Sequence, residues 1–230
     1  MTDQGSIAWR GLAVYLALTF CLSWAAQVTL VAVAPRLSLS PAVGGLATFA
    51  AAAALMWPPA VGAFVARRWI ERSNFTDAGL RWPRWPYLAL AWLGPPALTL
   101  GSTLLSLSLY QFDWNLTAFR ALLAQRGQSS VVSPAVVLTA QILYGLTFAV
   151  PINSLFAIGE EFGWRGYLLP RSIALLGPWK GVLFHGTVWG IWHAPFIVLA
   201  GHNYPRHHLL GVPLFIVFCV LAGLLLGWLY

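Results

Sequence analysis

Two acidic residues and one histidine stand where they could carry out acid–base chemistry. Glu160 and Glu161 are adjacent, and His193 lies within the next apolar segment. A carboxylate and an imidazole on neighbouring helices can together hold a water molecule and remove one of its protons. Ionisable side chains in apolar segments are costly unless they face protein or a water-filled interior. The sequence therefore indicates a site at which Glu160 could act as a general base or acid.

The spacing around the glutamates predicts different tasks for them if the segment is helical. Glu161 and Arg165 would be i,i+4 neighbours and would form an ion pair. Glu160 would lie on a different stripe of the helix and would be free to act as the base. Two alternatives stay open: both glutamates form only an interfacial ion-pair network with Arg165 and Arg171, or His193 is a core histidine bonded to a backbone carbonyl.

Glycines four residues apart accompany both groups of polar residues. Gly159 and Gly163 flank the glutamates, and Gly186 and Gly190 precede His193. Such pairs let membrane helices pack with their backbones close together. We expect these glycine faces to bring the two helices, and with them the carboxylate and the imidazole, towards each other. Ordinary helix packing is the alternative.

The elements that must position these residues are membrane-spanning helices. Of the 230 residues, 59% are apolar and 8% are charged, which is too little polar surface to cover a soluble globule. A span needs about 20 apolar residues, and the candidate segments are 11–34, 43–66, 87–110, 134–158, 181–199 and 209–230. We therefore predict an all-α, polytopic membrane helix bundle of about six helices, forming a single domain over residues 1–230 with the motif core at about 134–230.

The basic residues predict the orientation of this bundle. The formal charge is +7, from 13 Lys and Arg against 6 Asp and Glu. If six spans alternate, most of the basic residues fall on the side of the N-terminus, which the positive-inside rule makes cytoplasmic. The charge excess thus indicates topology and no nucleic-acid partner. The expected partners are the lipid bilayer and a peptide or protein substrate, and the oligomeric state stays open.

The two motifs together resemble a known family. Glu160, Glu161 and Arg165 form the motif E-E-x-x-x-R, and Trp189 with His193 forms the motif aromatic-x-x-x-H. Both are similar in order and spacing to the CPBP family of intramembrane peptidases, which groups CAAX endoproteases of the Ras-converting type with bacterial bacteriocin-processing and self-immunity proteins. The run from Glu160 resembles the bacterial branch.

The resemblance implies an enzyme, a membrane-embedded endopeptidase of the bacterial cytoplasmic membrane with a cytoplasmic N-terminus. Glu160 and His193 would activate the water that attacks the scissile carbonyl, while Glu161 and Arg165 would order the site. We expect aromatic side chains of the same segments to contact the substrate, namely Trp164, Tyr167 and Trp189. No cofactor is expected, because the motifs offer too few ligands for a closed zinc site. The alternative is a divalent metal such as zinc, since members are often named metalloproteases.

One departure from the family bears on activity. The family carries a third motif, H-x-x-x-N or H-x-x-x-D, which is credited with stabilising the oxyanion, and this spacing does not occur after His193. We expect that the chain is truncated before that helix; a natural short form is the alternative. An oxyanion donor is worth about 100-fold or more in rate. A chain without one could fold and yet be nearly inactive.

Two further functions compete with the peptidase. The first is a catalytically silent membrane scaffold or bacteriocin self-immunity protein with the same fold. The second is a transporter, in which intramembrane glutamate and histidine relay protons. Against a transporter or channel, the sequence predicts neither a pair of broken helices nor repeated halves.

Overall fold

Helices make up most of the chain in the computed structural model, which describes residues 3–37, 41–109 and 133–229, with positions 116, 117, 120, 121 and 124. No strand occurs among these residues. The described residues of the first half form four α-helices, of which the first is followed by a 3₁₀ turn and the third continues as a π-helical segment. Their bounds are α1 Asp3–Val33, the turn Ala34–Arg36, α2 Pro41–Met56, α3 Pro58–Val65, the π-helical segment Ala66–Glu71, and α4 Trp85–Leu109.

The second half contains the two motifs on α-helices that are separated by one short helix. The E-E-x-x-x-R motif begins in one α-helix and ends in a π-helical segment, and the aromatic-x-x-x-H motif lies at the end of another helix. The bounds are α5 Pro134–Leu146, α6 Ala149–Gly163, the π-helical segment Trp164–Leu168, α7 Leu169–Leu176, α8 Pro178–Trp192, α9 Ala194–Ala200 and α10 His208–Leu229.

The described helices confirm the predicted all-α, polytopic membrane protein. Those long and apolar enough to cross a membrane unaided are Gly5–Arg36, Trp85–Leu109, Pro178–Ala200 and His208–Gly227. Two further spans exist if each bent pair counts as one, namely Leu46–Met56 with Pro58–Glu71, bent by 41°, and Ala135–Leu146 with Ala149–Leu176, bent by 53°. The described part of the chain therefore offers four to six spans, as the sequence predicts.

Proline accounts for both bends. Pro58 and Pro59 follow the first break and cannot donate to carbonyls in the preceding turn of α2. Pro151 lies four residues after Thr147, whose carbonyl it cannot serve, and the helix is interrupted there. The expectation that no pair of helices is broken is therefore wrong, and only the lack of repeated halves in the sequence still argues against a transporter.

The chain divides into two compact units. Met1–Leu80 with Leu155–Tyr230 forms the first and contains both motifs, and Arg81–Ser154 forms the second. The core of the first unit brings residues of α1 and α3 together with both motif segments; it comprises Leu12, Tyr15, Ala63, Ala66, Trp164, Tyr167, Leu168, Val188 and Trp192. In the second unit, the indole N–H of Trp92 donates to the carbonyl of Leu146 at 2.9 Å. The prediction of a single domain stays a prediction.

The glycines of α8 pack against α10. A Cβ on Gly186 would lie 2.5 Å from Cα of Val220, and a Cβ on Gly190 would lie 2.6 Å from Cα of Ile216. Both distances are far below van der Waals contact, so only glycine allows this approach of the two backbones. The face of α8 that carries these glycines is thus covered by the last helix.

The glycines of α6 pack elsewhere. A Cβ on Gly159 would lie 2.8 Å from the carbonyl oxygen of Met56, and a Cβ on Gly163 would collide with Pro59, both at the α2/α3 bend. The two glycine faces therefore meet different neighbours. The expectation that they bring the two motif helices together is wrong, because each face is already occupied by another helix.

Candidate active site

Glu160 has two indole groups beside it and lies within electrostatic reach of Glu161 and Arg165. Its side chain lies in α6 and is partly buried. The indole N–H groups of Trp164 and Trp189 interact with its carboxylate, although neither reaches strict hydrogen-bond geometry. In the described part of the chain, Glu160 makes no ion pair within 4 Å. A carboxylate without a bonded cation keeps its lone pairs available to accept a proton.

Glu161 and Arg165 form the predicted ion pair. Arg165 Nη1 lies 2.8 Å from Glu161 Oε1, with the arginine side chain 4% exposed and the glutamate 50% exposed. The guanidinium also lies over the Trp189 ring, 4.2 Å from its centroid. Arg165 therefore joins the glutamate segment to α8 through the face of an aromatic ring.

His193 is the single residue between α8 and α9. Its Nδ1 lies 2.9 Å from the carbonyl oxygen of Trp189. Because a carbonyl can only accept, Nδ1 carries the proton in the neutral ring and Nε2 presents a lone pair. The bond expected of a core histidine is thus present, but it engages only one ring nitrogen. The rings of Trp192 and Phe215 enclose the imidazole, each with its centroid 4.6 Å away.

Trp189 connects the two motifs. Its indole N–H interacts with Glu160, its ring carries Arg165 and its carbonyl accepts from His193. The aromatic position of the second motif is therefore the residue through which the carboxylate and the imidazole share one support.

Of the aromatic residues expected to contact substrate, Trp164 and Tyr167 are fully buried, and Trp189 is partly buried. Trp164 packs on Trp192, with ring centroids 5.7 Å apart and an interplanar angle of 74°. Tyr167 donates its hydroxyl to Glu71 Oε1 at 2.5 Å. The substrate contacts stay predictions; in this structure the two buried rings serve the protein core.

Arg171 belongs to a second polar group, away from the motif glutamates. Its guanidinium pairs with Glu71 at 2.7 Å and with Asp77 at 2.8 Å. The alternative in which Glu160 and Glu161 share a network with both arginines is therefore wrong for Arg171, because acidic residues from the segment after α3 reach it first.

Arg67 connects this polar group to the π-helical segment Trp164–Leu168 by hydrogen bonds. Its guanidinium is fully buried and donates to Asp77 at 2.6 Å, to the Asn74 carbonyl at 2.9 Å and to the Gly166 carbonyl at 2.5 Å. Although partial burial opposes the shift, the hydrogen bonds from Arg67 and Arg171 lower the pKa of Asp77 to about 2. Sequence reasoning assigned Arg67 to topology alone, and no local spacing marks its long-range partners.

His185 is a second buried histidine that sequence reasoning left without a role. Its ring is fully buried and lies within electrostatic reach of Arg165, and its two nitrogens have no hydrogen-bond partner among the residues that the structure describes. A Cβ on Gly223 would lie 3.3 Å from its Nδ1. The imidazole therefore occupies the contact between α8 and α10.

The described residues do not fit a metal centre. Among them, no three His, Cys, Asp or Glu side chains lie close enough together to hold an ion. A protein zinc site needs at least three such ligands. We therefore derive no step through a metal.

Part of the chain matches a known family. The match covers residues 141–230, and the family is described as type II CAAX prenyl endopeptidase Rce1-like. This segment is similar to that family. The family resemblance inferred from the two motifs is thus confirmed for this segment, which contains Glu160 and His193. No curated protein and no solved structure matches the chain.

The Rce1-like segment runs from α5 to the end of the chain. It includes both motifs, the π-helical segment between α6 and α7, and Arg171, whereas α1, Arg67, Glu71 and Asp77 lie outside it. With its apolar helices, the match supports an integral membrane protein related to intramembrane proteases. Residues of α1 and α3 pack against the motif segments in the fold, and the family match does not include them.

Proposed function

We propose that this protein is an intramembrane endopeptidase in which Glu160 is the general base. The observation that carries the proposal is that Trp189 contacts both motifs: the guanidinium of Arg165 lies 4.2 Å from the centroid of its ring, and its carbonyl accepts from Nδ1 of His193. The Rce1-like match to residues 141–230 supports peptide hydrolysis as the reaction class. We further propose that the protein lies in a bacterial cytoplasmic membrane with its N-terminus in the cytoplasm.

Both groups would act on one water molecule. The water donates one hydrogen bond to the Glu160 carboxylate and the other to the Nε2 lone pair of His193, which leaves its oxygen lone pairs facing the scissile carbonyl. As the oxygen bonds to the carbonyl carbon, one proton passes to Glu160. The C–N bond then breaks and Glu160 returns that proton to the leaving nitrogen, giving a carboxyl and an amine.

Glu161 and Arg165 have a supporting task in this proposal. The Arg165 guanidinium covers one face of Trp189 and is held from the other side by Glu161. This arrangement keeps the Trp189 indole in place beside Glu160. Both residues are therefore positioning residues, and neither transfers a proton.

The test uses the full chain in detergent or liposomes and a fluorogenic peptide that ends in a farnesylated CAAX tail, together with the same peptide without the lipid. Positioned general-base groups contribute about 10²–10⁴-fold to rate. We expect Glu160→Gln and His193→Gln each to lower kcat/KM by at least about 100-fold. His207→Gln, in an exposed loop, is the matched control and keeps wild-type turnover. A chelator at millimolar concentration leaves the rate unchanged.

Several outcomes would count against the proposal. Normal turnover by Glu160→Gln would remove its central residue. Absence of cleavage of either peptide by the wild-type chain would favour the silent scaffold or self-immunity protein. Loss of activity with chelator, restored by zinc, would replace the metal-free scheme.

A further inference from the structure

A side chain from α1 bridges the helix break at His193. In an unbroken helix, the N–H of Phe196 would donate to the carbonyl of Trp192. Here the carboxamide of Gln27 stands between these two groups. Its Nε2 donates to the Trp192 carbonyl at 3.0 Å, and its Oε1 accepts from the Phe196 N–H at 3.2 Å. One amide therefore satisfies both sides of the break.

The break itself has a local cause. Pro195 lies in the first turn of α9 and has no N–H to donate to the carbonyl of Ile191. His193 continues the chain with φ −82° and ψ −8°, and its own carbonyl accepts from the Ile197 N–H at 3.1 Å. The chain thus turns at His193 with regular hydrogen bonding on either side and needs an outside partner across the gap.

Gln27 is well placed to supply that partner. It is 3% exposed and lies on the face of α1 that also buries Tyr15, Thr19 and Ser23. Trp24, one turn of α1 away, adds a second donor to the Trp192 carbonyl at 3.2 Å. A buried carboxamide with both ends bonded has one orientation, since reversing it would place two acceptors or two donors face to face.

We infer that Gln27 is a positioning residue for His193, an inference that rests on the proposed function. The Nδ1 bond to the Trp189 carbonyl holds the imidazole from within α8, and Gln27 holds the backbone on both sides of His193. The direction of Nε2 follows from these two restraints together. The first helix, which lies outside the Rce1-like segment, thereby completes the site.

The first experiment measures the bridge without reference to activity. Gln27→Met keeps the length of the side chain and removes both hydrogen-bonding groups. We expect hydrogen–deuterium exchange of the peptide 193–201 to become about 10-fold faster in this variant, because the Phe196 amide loses its acceptor. Exchange in peptides of α10 is the internal reference. Ser23→Ala, buried one turn earlier on the same face of α1, is the matched control and leaves exchange unchanged.

The second experiment measures the consequence for turnover of the peptide substrate. Because small displacements of a catalytic group can cost about 100-fold in rate, we expect Gln27→Met to lower kcat by about 10- to 100-fold with KM within twofold of wild type. Trp24→Phe removes one of two donors to the Trp192 carbonyl and should lower kcat by about two- to fivefold. Ser23→Ala retains the wild-type kcat.

The outcomes separate this inference from the proposed function. Unchanged exchange in Gln27→Met shows that the bridge does not restrain the break and overturns the inference. Faster exchange with unchanged kcat, in a wild-type protein that cleaves peptide, also overturns it. If Gln27→Met is unfolded, as global exchange in α10 would reveal, Trp24→Phe decides by the same two readouts. Absence of cleavage by the wild type refutes the proposed function, while the exchange result still decides the bridge.

Discussion

Arg165 and Glu161 form one ion pair, but the structure predicts that losing them has unequal costs. Arg165 is 4% exposed and lies 4.2 Å from the centroid of the Trp189 ring, whereas Glu161 is 50% exposed. A desolvated cation–π contact contributes about 2 kcal/mol. An ion pair with one half-exposed partner is screened by solvent and contributes at most about 1 kcal/mol. Most of the stabilisation therefore comes from the ring beneath the guanidinium.

Two single variants and their double variant test this difference. Arg165→Met removes both interactions and should lower the free energy of unfolding by about 2–3 kcal/mol. For a chain of this size that corresponds to about 4–12 °C in Tm. Glu161→Gln keeps an acceptor oxygen for Arg165 and should cost at most about 1 kcal/mol. The assay is thermal unfolding of the purified protein in detergent, followed by intrinsic tryptophan fluorescence.

The double variant supplies the decisive number. Arg165→Met with Glu161→Gln should show a coupling energy below about 1 kcal/mol, because only the screened pair is shared between the two changes. If Glu161→Gln lowers Tm as much as Arg165→Met, or if the coupling energy exceeds about 2 kcal/mol, the ion pair dominates and the reasoning from exposure is refuted.

Three further predictions concern the packing around the site. Arg67→Met leaves two backbone carbonyls without a charged donor and should lower the free energy of unfolding by about 3–5 kcal/mol. Arg68→Met, at the exposed neighbouring residue, should change Tm little. Equal effects of the two substitutions on Tm would contradict the buried network. Gly190→Ala should lower Tm, because the added Cβ would lie 2.6 Å from a backbone atom of α10. Gly101→Ala is the control and should raise Tm slightly, because its Cβ would meet nothing within 4 Å. A reversed order of the two Tm values would show that α8 and α10 are not packed as described. The pKa of Asp77 is lowered to about 2 in the fold, so the stabilisation from its carboxylate is present above about pH 4 and is lost as pH falls towards 2. Tm measured across this interval should therefore fall less in Asp77→Asn than in the wild type. Parallel curves of Tm against pH would argue against the lowered pKa.

Local spacing accounts for the features that the sequence predicted well. The Glu161–Arg165 pair follows from a separation of four residues along a helix. The bond from His193 to the Trp189 carbonyl also spans four residues and was foreseen as an alternative. Such contacts depend on the geometry of one element, which a single sequence contains.

The glycine pairs show where local spacing misleads. Their spacing predicted close packing, and close packing is what Gly190 and Gly163 have. The spacing carries no information about the partner, because any helix can fill such a face. Pro58, Pro59 and Pro151 indicate the helix breaks in the sequence, since each proline removes a backbone donor. The continuous hydropathy of the segments nevertheless favoured unbroken spans.

Composition and spacing by themselves determined that this protein is helical and belongs in a bilayer, and that Arg165 pairs with its neighbour along the chain. They also predict that Glu160 and His193 carry its chemistry. Tertiary structure decided what supports these residues. Trp189 contacts both motifs, Gln27 bridges the helix break at His193, and the buried Arg67 donates to the carbonyl of Gly166 in the π-helical segment Trp164–Leu168. The physical reason is the reach of the interactions. A helix repeats every 3.6 residues and so places near neighbours reliably, whereas a buried donor can bond any acceptor that packing brings to it, however distant along the chain.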